Sequence, residues 1–318
     1  MIKIIENQSE IAAGTRGSSL GIGAMKVVSQ TANDGFFGKY ENLEIQTENS
    51  LLDFATKYNF AKRIDGLIKV YDRTCDLLSS ELKSSTFPIL LSGDHSCAGG
   101  TIAGVKKAFP EKRVGVVWID AHADVHTPYT TPSGNLHGMP LATALAEDNL
   151  DSKINNLDPE TTNLWNKLKN TGNISPKIDV NDLVYISVRD TEKPEDDYLA
   201  KHNIKNFSVD EIRTKGKEIV AQQIKDKLSS CDVIYVSFDV DSMDCILVSK
   251  GTGTPVENGL NPEEADYFMV EFSKWEKVKA IEFVEINPCL DDKVNKMAEA
   301  AYGILKNVAT ALENRFTK

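Results

Sequence analysis

Five short stretches of this chain, residues 88–91, 114–119, 183–188, 233–238 and 278–284, are near-continuous runs of apolar residues rich in β-branched and aromatic types. Each gives way at once to carboxylates or imidazoles. Runs that apolar do not suit a sheet with one wet face; they suit strands covered on both faces. Helical patterns lie between them. Asn261-Pro262-Glu263-Glu264 reads as an N-cap, a proline in the first turn and an acidic start. Ala265, Phe268, Met269, Phe272 and Trp275 follow at helical spacing, and Val294, Met297, Ala301, Ile304, Leu305, Val308 and Leu312 make a second apolar stripe. Strands alternating with helices predict an α/β fold: a central, largely parallel β-sheet flanked by helices on both faces. No repeat or low-complexity linker interrupts the 318 residues. One large sheet can fill such a length, so we read residues 1–318 as a single domain. The polar segment 147–177, rich in Asn, Asp and Lys, reads as an excursion near the surface.

In open parallel sheets ligands bind beyond the carboxyl ends of the strands. The residues just after each apolar run are therefore the informative ones. They are Ser92-Gly93-Asp94-His95, Asp120-Ala121-His122-Ala123-Asp124, Arg189-Asp190-Thr191-Glu192, Asp239-Val240-Asp241 and Glu285-Ile286-Asn287-Pro288. Alternation along a strand points residues two apart the same way, about 6.5 Å apart. Asp120, His122 and Asp124 are thus expected on one side of one strand end, with Asp239 and Asp241 repeating the device on another. Adding His95 gives four carboxylates and two imidazoles, a mixture that suits Mn²⁺ or a similar divalent ion. Four carboxylates brought together without cations would repel and take up protons. Two divalent ions would balance them, and such a pair can deprotonate a shared water near neutral pH. Of five histidines, four (His95, His122, His126, His137) lie in these polar segments, leaving His202 as a surface residue.

The formal net charge of -11 disfavours nucleic-acid binding, which needs clustered Lys and Arg. A small cationic substrate is compatible with it. No apolar run reaches membrane-spanning length, and the opening MIKIIENQSE places Glu6 and Glu10 inside any would-be signal segment. Five scattered cysteines with no CxxC pair point to a reduced, cytoplasmic setting. The glycine-rich stretch 14–21 follows no convincing strand and lacks a lysine at phosphate-loop spacing, so it reads as a backbone turn near the site mouth. Trp118 reads as core.

Ser92-Gly93-Asp94-His95-Ser96, Asp120-Ala121-His122-Ala123-Asp124 and Ser237-Phe238-Asp239-Val240-Asp241-Ser242-Met243-Asp244 together resemble the three signatures of the ureohydrolases, the family of arginases, agmatinases and formiminoglutamases. Within it the run 127–138, Thr254 beside its glycines, and Glu285 are most similar to arginase. The resemblance implies an arginase-like fold, two Mn²⁺ ions per subunit and assembly as a trimer or hexamer. It implies that His95, Asp120, Asp124 and Asp239 hold one ion and His122, Asp120, Asp239 and Asp241 the other, with Asp120 and Asp239 bridging. The implied reaction is hydrolysis of L-arginine to L-ornithine and urea by a metal-bridging hydroxide. Asp124 then belongs to the catalytic groups as well as to the ligands. Glu285 would orient the guanidinium, His137 would move protons and Thr254 would support the guanidinium end. Thr131, Ser133 and Asn135 would receive the α-carboxylate, and Glu192 or Glu195 the α-ammonium.

The chain departs from that pattern at three places. His126 stands where many arginases have an asparagine that helps bind the α-carboxylate; an imidazole can still donate there. Glu192 stands where many have aspartate. Asp244-Cys245 replaces Asp-Pro, and the following loop is one residue longer. Two other readings stay open on sequence alone: a related amidine hydrolase acting on agmatine, guanidinobutyrate or formiminoglutamate, and a catalytically silent homologue.

Overall fold

A computed structural model describes residues 1–317. Eight strands run parallel in one sheet: β1 (Ile2–Asn7), β2 (Glu41–Glu44), β3 (Phe87–Ser92), β4 (Val114–Ile119), β5 (Leu183–Ile186), β6 (Lys205–Phe207), β7 (Val233–Asp239) and β8 (Val278–Val284). Their spatial order is β2-β1-β3-β8-β7-β4-β5-β6. The helices are α1 (Gly21–Ala32), α2 (Phe36–Lys39), α3 (Ile64–Lys83), α4 (Cys97–Ala108), α5 (Pro140–Leu145), α6 (Pro159–Lys169), α7 (Lys193–His202), α8 (Val209–Lys215), α9 (Lys217–Lys227), α10 (Pro262–Ser273) and α11 (Lys296–Phe316). Side chains of α1 and α8–α11 pack on the sheet face that carries Ile89, Val117, Val236 and Ile281. Those of α3–α5 and α7 cover the opposite face, with Leu90, Val116, Trp118 and Tyr235, and α6 packs outside α3 and α5. The expected two-sided α/β sheet is present. Asn261 caps α10, with its side chain accepting from Glu264 N–H and Glu264 returning the bond.

Three strands escape a reading based on apolar runs. In β1, Lys3 and Glu6 break the run; they sit in the sheet because Lys3 pairs with Glu41 and Glu81 and Glu6 pairs with Lys26. That strand precedes the glycine-rich turn, contrary to expectation. β2 is an exposed edge strand and β6 has only three residues. The run 183–188 leaves the strand after Ile186: Ser187 makes a last bond to β6 through Phe207 O and turns away at a φ of 75°. The segment 147–177 is more than a surface excursion. Its helix α6 buries Trp165 and Leu168, and Lys169 and Lys177 are buried nearby. Nor is His202 simply a surface residue: its ring packs 4.5 Å from that of Tyr198 and is partly covered.

Candidate metal centre and pocket

Strand alternation decides which side chains meet at the carboxyl edge. On β4 and β7 the even–odd pattern that sends Val117, Val236 and Phe238 to one face sends Trp118 and Tyr235 to the other. Asp120, Ser237 and Asp239 continue on that second face. The remaining ligand candidates arrive differently from the expectation. The chain leaves β4 at Ile119, and Asp124 reaches the cluster through a left-handed turn, φ 52°. Asp241 arrives through a short 3₁₀ turn, Val240–Ser242, in which Asp239 accepts from Asp241 N–H at 2.8 Å. Glu285 also has a positive φ, 65°. Such backbone costs about 1–3 kcal/mol at a non-glycine residue and persists where surrounding structure enforces it.

Two groups result. His95, Asp120 and Asp239 offer ligand atoms within 4.8 Å of one another, as do Asp120, His122 and Asp241. Asp120 belongs to both, and Asp239 clusters with His95. The Nδ1 of His95 lies 3.0 Å from Asp120 and 3.1 Å from each of Asp124 and Asp239. It is buried and has no hydrogen-bond partner among the described residues. His122 Nδ1 lies 3.1 Å from Asp241 and 3.5 Å from Asp120.

The surrounding atoms fix these rings. His95 stacks on Trp118 with centroids 4.1 Å apart, and its Nε2 is bonded to Ser237 Oγ at 2.8 Å, which leaves Nδ1 to face the carboxylates. Trp118 is core as expected, but it also donates its indole N–H to Asp120 at 2.8 Å. Asp241 accepts from Thr254 Oγ1 at 2.9 Å and from Ala121 N–H at 3.1 Å. Metal ligands with this kind of outer hydrogen bonding are oriented before an ion arrives.

The electrostatics test whether a cation fits. Burial and the neighbouring Asp120 push Asp124 up to about 6. Burial with Asp241 and Asp120 raises Asp239 well above the carboxylate range. Burial works against ionised Asp120 too, but bonds to His122 and His95 outweigh it and hold it low. Both imidazoles are raised because their carboxylate neighbours outweigh their desolvation. The bare cluster therefore collects protons to offset its negative charge. An unpartnered imidazole nitrogen among three carboxylates is the place where a divalent ion can take over that task, and the mixed O/N donors fit one.

A cavity of about 340 Å³ opens above this cluster. All the site residues expected from sequence line it except Asp120 and Glu285, which lie just behind its wall. Glu285 accepts from His95 N–H at 2.9 Å and sits 3.3 Å from His137 Nδ1. Burial disfavours the His137 cation, but Glu285 outweighs burial and carries the ring up to about 9. Farther out, Thr131 Oγ1 accepts from Gly134 N–H and Ser133 Oγ from Asn135 N–H, so both hydroxyl hydrogens remain free to donate. Lys62 donates to Asn135 Oδ1 at 3.2 Å and so fixes that amide, a contact no motif announced.

Glu192 and Glu195 form a capping box at the start of α7. Glu195 is buried, and its oxygens accept from Val125 and Glu192 N–H; burial pushes it up to about 8. Its spacing from Glu192, with Pro194 between, was a readable cap signal. Two residues of the strand-end segment 189–192 had been given no role. Asp190 lies 3.5 Å from His122 Nε2. Arg189 donates to the backbone carbonyls of Ser187, Asp241, Val256 and Glu257, tying the Asp241 turn to two other segments.

The family model for the arginase family matches residues 9–310. The chain belongs to the arginase family. It is 36% identical over 220 residues to an arginase of Entamoeba histolytica, covering 69% of this chain and 68% of that one. It is 30% identical to an arginase of Bacillus caldovelox over 96% of both chains. The solved structure of the Bacillus caldovelox arginase superposes with a TM-score of 0.81 at 29% identity, covering 96% of this chain and 97% of that one. The arginase-family fold thus places an imidazole–carboxylate cluster at the strand ends, and this chain is a hydrolase of that family.

Proposed function

We propose that this arginase-family hydrolase is an arginase, converting L-arginine and water to L-ornithine and urea with two Mn²⁺ ions per subunit. His95, Asp120, Asp124 and Asp239 would hold one ion and His122, Asp120, Asp239 and Asp241 the other. When bound, the ions supply Lewis acidity and lower the pKa of water. The observation that carries the reading is the cavity itself: a cation-hungry floor of shared carboxylates, with neutral hydroxyl and amide donors on the wall above it.

Glu285 orients the substrate guanidinium, using the carboxylate oxygen that lies behind Gly253, where a Cβ would be 3.5 Å away. His137, held by Glu285, carries the proton delivered to the leaving amine, a task suited to an imidazole. Thr254 steadies Asp241 beside the guanidinium end. Thr131, Ser133 and Asn135 donate to the α-carboxylate at the outer end. Assembly as a trimer or hexamer belongs to the same proposal.

The deciding experiment measures urea release from L-arginine and agmatine side by side, with manganese content determined on the same sample. We expect two Mn²⁺ per chain, urea from arginine, and much less from agmatine, which has no carboxylate for the wall donors. Urea from agmatine alone would reassign the enzyme. No urea from either with both ions bound would overturn the reading.

A further inference from the structure

The outer wall of the cavity is gripped from behind by the polar segment that follows α5. Thr127 Oγ1 donates to Asp148 O at 2.9 Å. The N–H groups of Ile154 and Asn155 both donate to Tyr129 O, at 2.8 and 2.9 Å. The Asn155 side-chain amide donates to Pro128 O at 3.1 Å and to Thr131 O at 2.7 Å. Two acceptors on one side require the NH2 end of the amide, so this network fixes which way Asn155 points. Asn155 is half-buried and stands behind the wall, whereas Thr131 is buried and lines the cavity. The peptide unit is planar, so holding a residue's carbonyl also restricts the direction in which its side chain leaves.

The gripping segment is itself anchored. Asp148 Oδ1 accepts from Trp165 Nε1 at 2.7 Å and from Lys169 Nζ, both on α6 and both buried. Asn149 donates its side-chain amide to Pro194 O at 3.0 Å, at the start of α7. A loop that rests on a buried helix opens less readily than one bonded to water alone. The bonds from residues 148–155 end on residues 127–131 and stop short of the metal-ligand candidates. They act on the outer wall and leave the inner floor to the strands.

We propose that Asn155 is a specificity-determining positioning residue: from outside the cavity it sets the place of Thr131, and with it the preference for a guanidine whose far end carries a carboxylate. This rests on the reading of the pocket as an amino-acid guanidine site. It gives the excursion 147–177, with α6 as its footing, a part in substrate selection. Asn155 touches no substrate; it acts through the backbone of the loop it holds.

The test compares Asn155→Ala, which removes both side-chain bonds, with Asn155→Asp, which keeps the volume but sets carboxylate oxygens against two carbonyl oxygens. In the manganese-loaded enzyme Asn155→Ala should raise KM about tenfold for L-arginine and for 5-guanidinopentanoate, which also ends in a carboxylate, with kcat unchanged. The kcat/KM for agmatine, which has no carboxylate, should not move. Asn155→Asp should show the same split with a larger rise. General damage to the fold would instead lower kcat, manganese content and agmatine turnover together. An equal loss for all three substrates, or no rise in KM for arginine, would overturn the proposal.

Two readouts keep the question separate from turnover. Hydrogen exchange of the backbone over residues 127–135 should quicken in Asn155→Ala while that of residues 120–124 stays constant; unchanged exchange in both would overturn the proposal. Calorimetric titration then compares 5-aminopentanoate with putrescine. A loss of affinity in Asn155→Ala confined to 5-aminopentanoate supports the positioning role even if arginine yields no urea, in which case only the proposed reaction falls. Binding of neither to the wild type refutes both.

Discussion

The two ends of the cavity are built by different means. At the inner end the acidic and imidazole groups come from the carboxyl ends of adjacent strands, and all but the partly exposed His122 are buried. Their outer partners, Trp118, Ser237 and Thr254, approach from the same sheet edge. At the outer end the groups sit on loops, and several are held mainly by backbone atoms a few residues away, as with Thr131 and Ser133. Strands set position through the rest of the sheet; loops set it locally. The inner end is therefore rigid and collective, and each of its residues depends on the others. The outer end is modular, and each of its members can be changed without moving the others.

The largest effect should come from breaking the collective end at its shared member. Asp120 belongs to both ligand groups and accepts the Trp118 bond. Loss of a single outer partner at a metal site typically costs 10–100-fold. On the proposed two-ion reading Asp120→Ala would remove a ligand of both ions and should exceed that: metal analysis should find fewer than one Mn²⁺ per chain, with urea release at background. Two ions retained in this variant would show that the two groups are independent, and the contrast between the ends would dissolve.

Arg189 extends the inner end beyond the cavity. Its guanidinium fork reaches the Asp241 carbonyl and the 256–257 segment, and a Cβ at Gly259 would stand 2.6 Å from Nη2. Removing the fork frees the turn that aims Asp241 while leaving the His95 group intact. Arg189→Met should lower affinity for the second Mn²⁺ about tenfold to a hundredfold. In a manganese titration followed by electron paramagnetic resonance, the coupled two-ion signal should appear only at higher metal, after a single-ion signal. Lysine should rescue little, since it lacks the planar fork. An unchanged titration would confine Arg189 to ordinary loop packing.

The same contrast explains what was legible in the sequence. The apolar runs gave the inner strands and the residues following them, because a strand covered on both faces leaves a continuous trace. They missed β1, β2 and β6, where charged pairs, edge exposure or shortness erase that trace. The convergence of Asp120, His122 and Asp124 was foreseen, but by pleat geometry, whereas a left-handed turn at Asp124 accomplishes it. Turns of that kind carry no hydrophobic period. At the outer end residue type alone suggested roles. It could not separate Glu195, buried and bonded to backbone N–H groups, from Glu192, which is exposed at the cavity wall. Nor could it show the roles of Arg189 and Lys62, which reach oxygens more than fifty residues away in sequence.

The smallest predicted effect belongs to the modular end. Ser133 receives one backbone N–H and leaves its hydroxyl hydrogen to the cavity. With arginine bound as proposed, Ser133→Ala would remove one neutral donor to its carboxylate, about 1–2 kcal/mol, and so about tenfold in affinity. That carboxylate lies far from the reacting guanidinium and keeps its charge throughout the reaction, so its binding is the same in ground and transition states. Such uniform binding appears in KM and leaves kcat alone. Steady-state kinetics on arginine should accordingly show KM raised about tenfold, kcat unchanged and manganese content intact. A fall in kcat would mean that the outer wall also sets the guanidinium's position over the metal floor, making the two ends one mechanical unit.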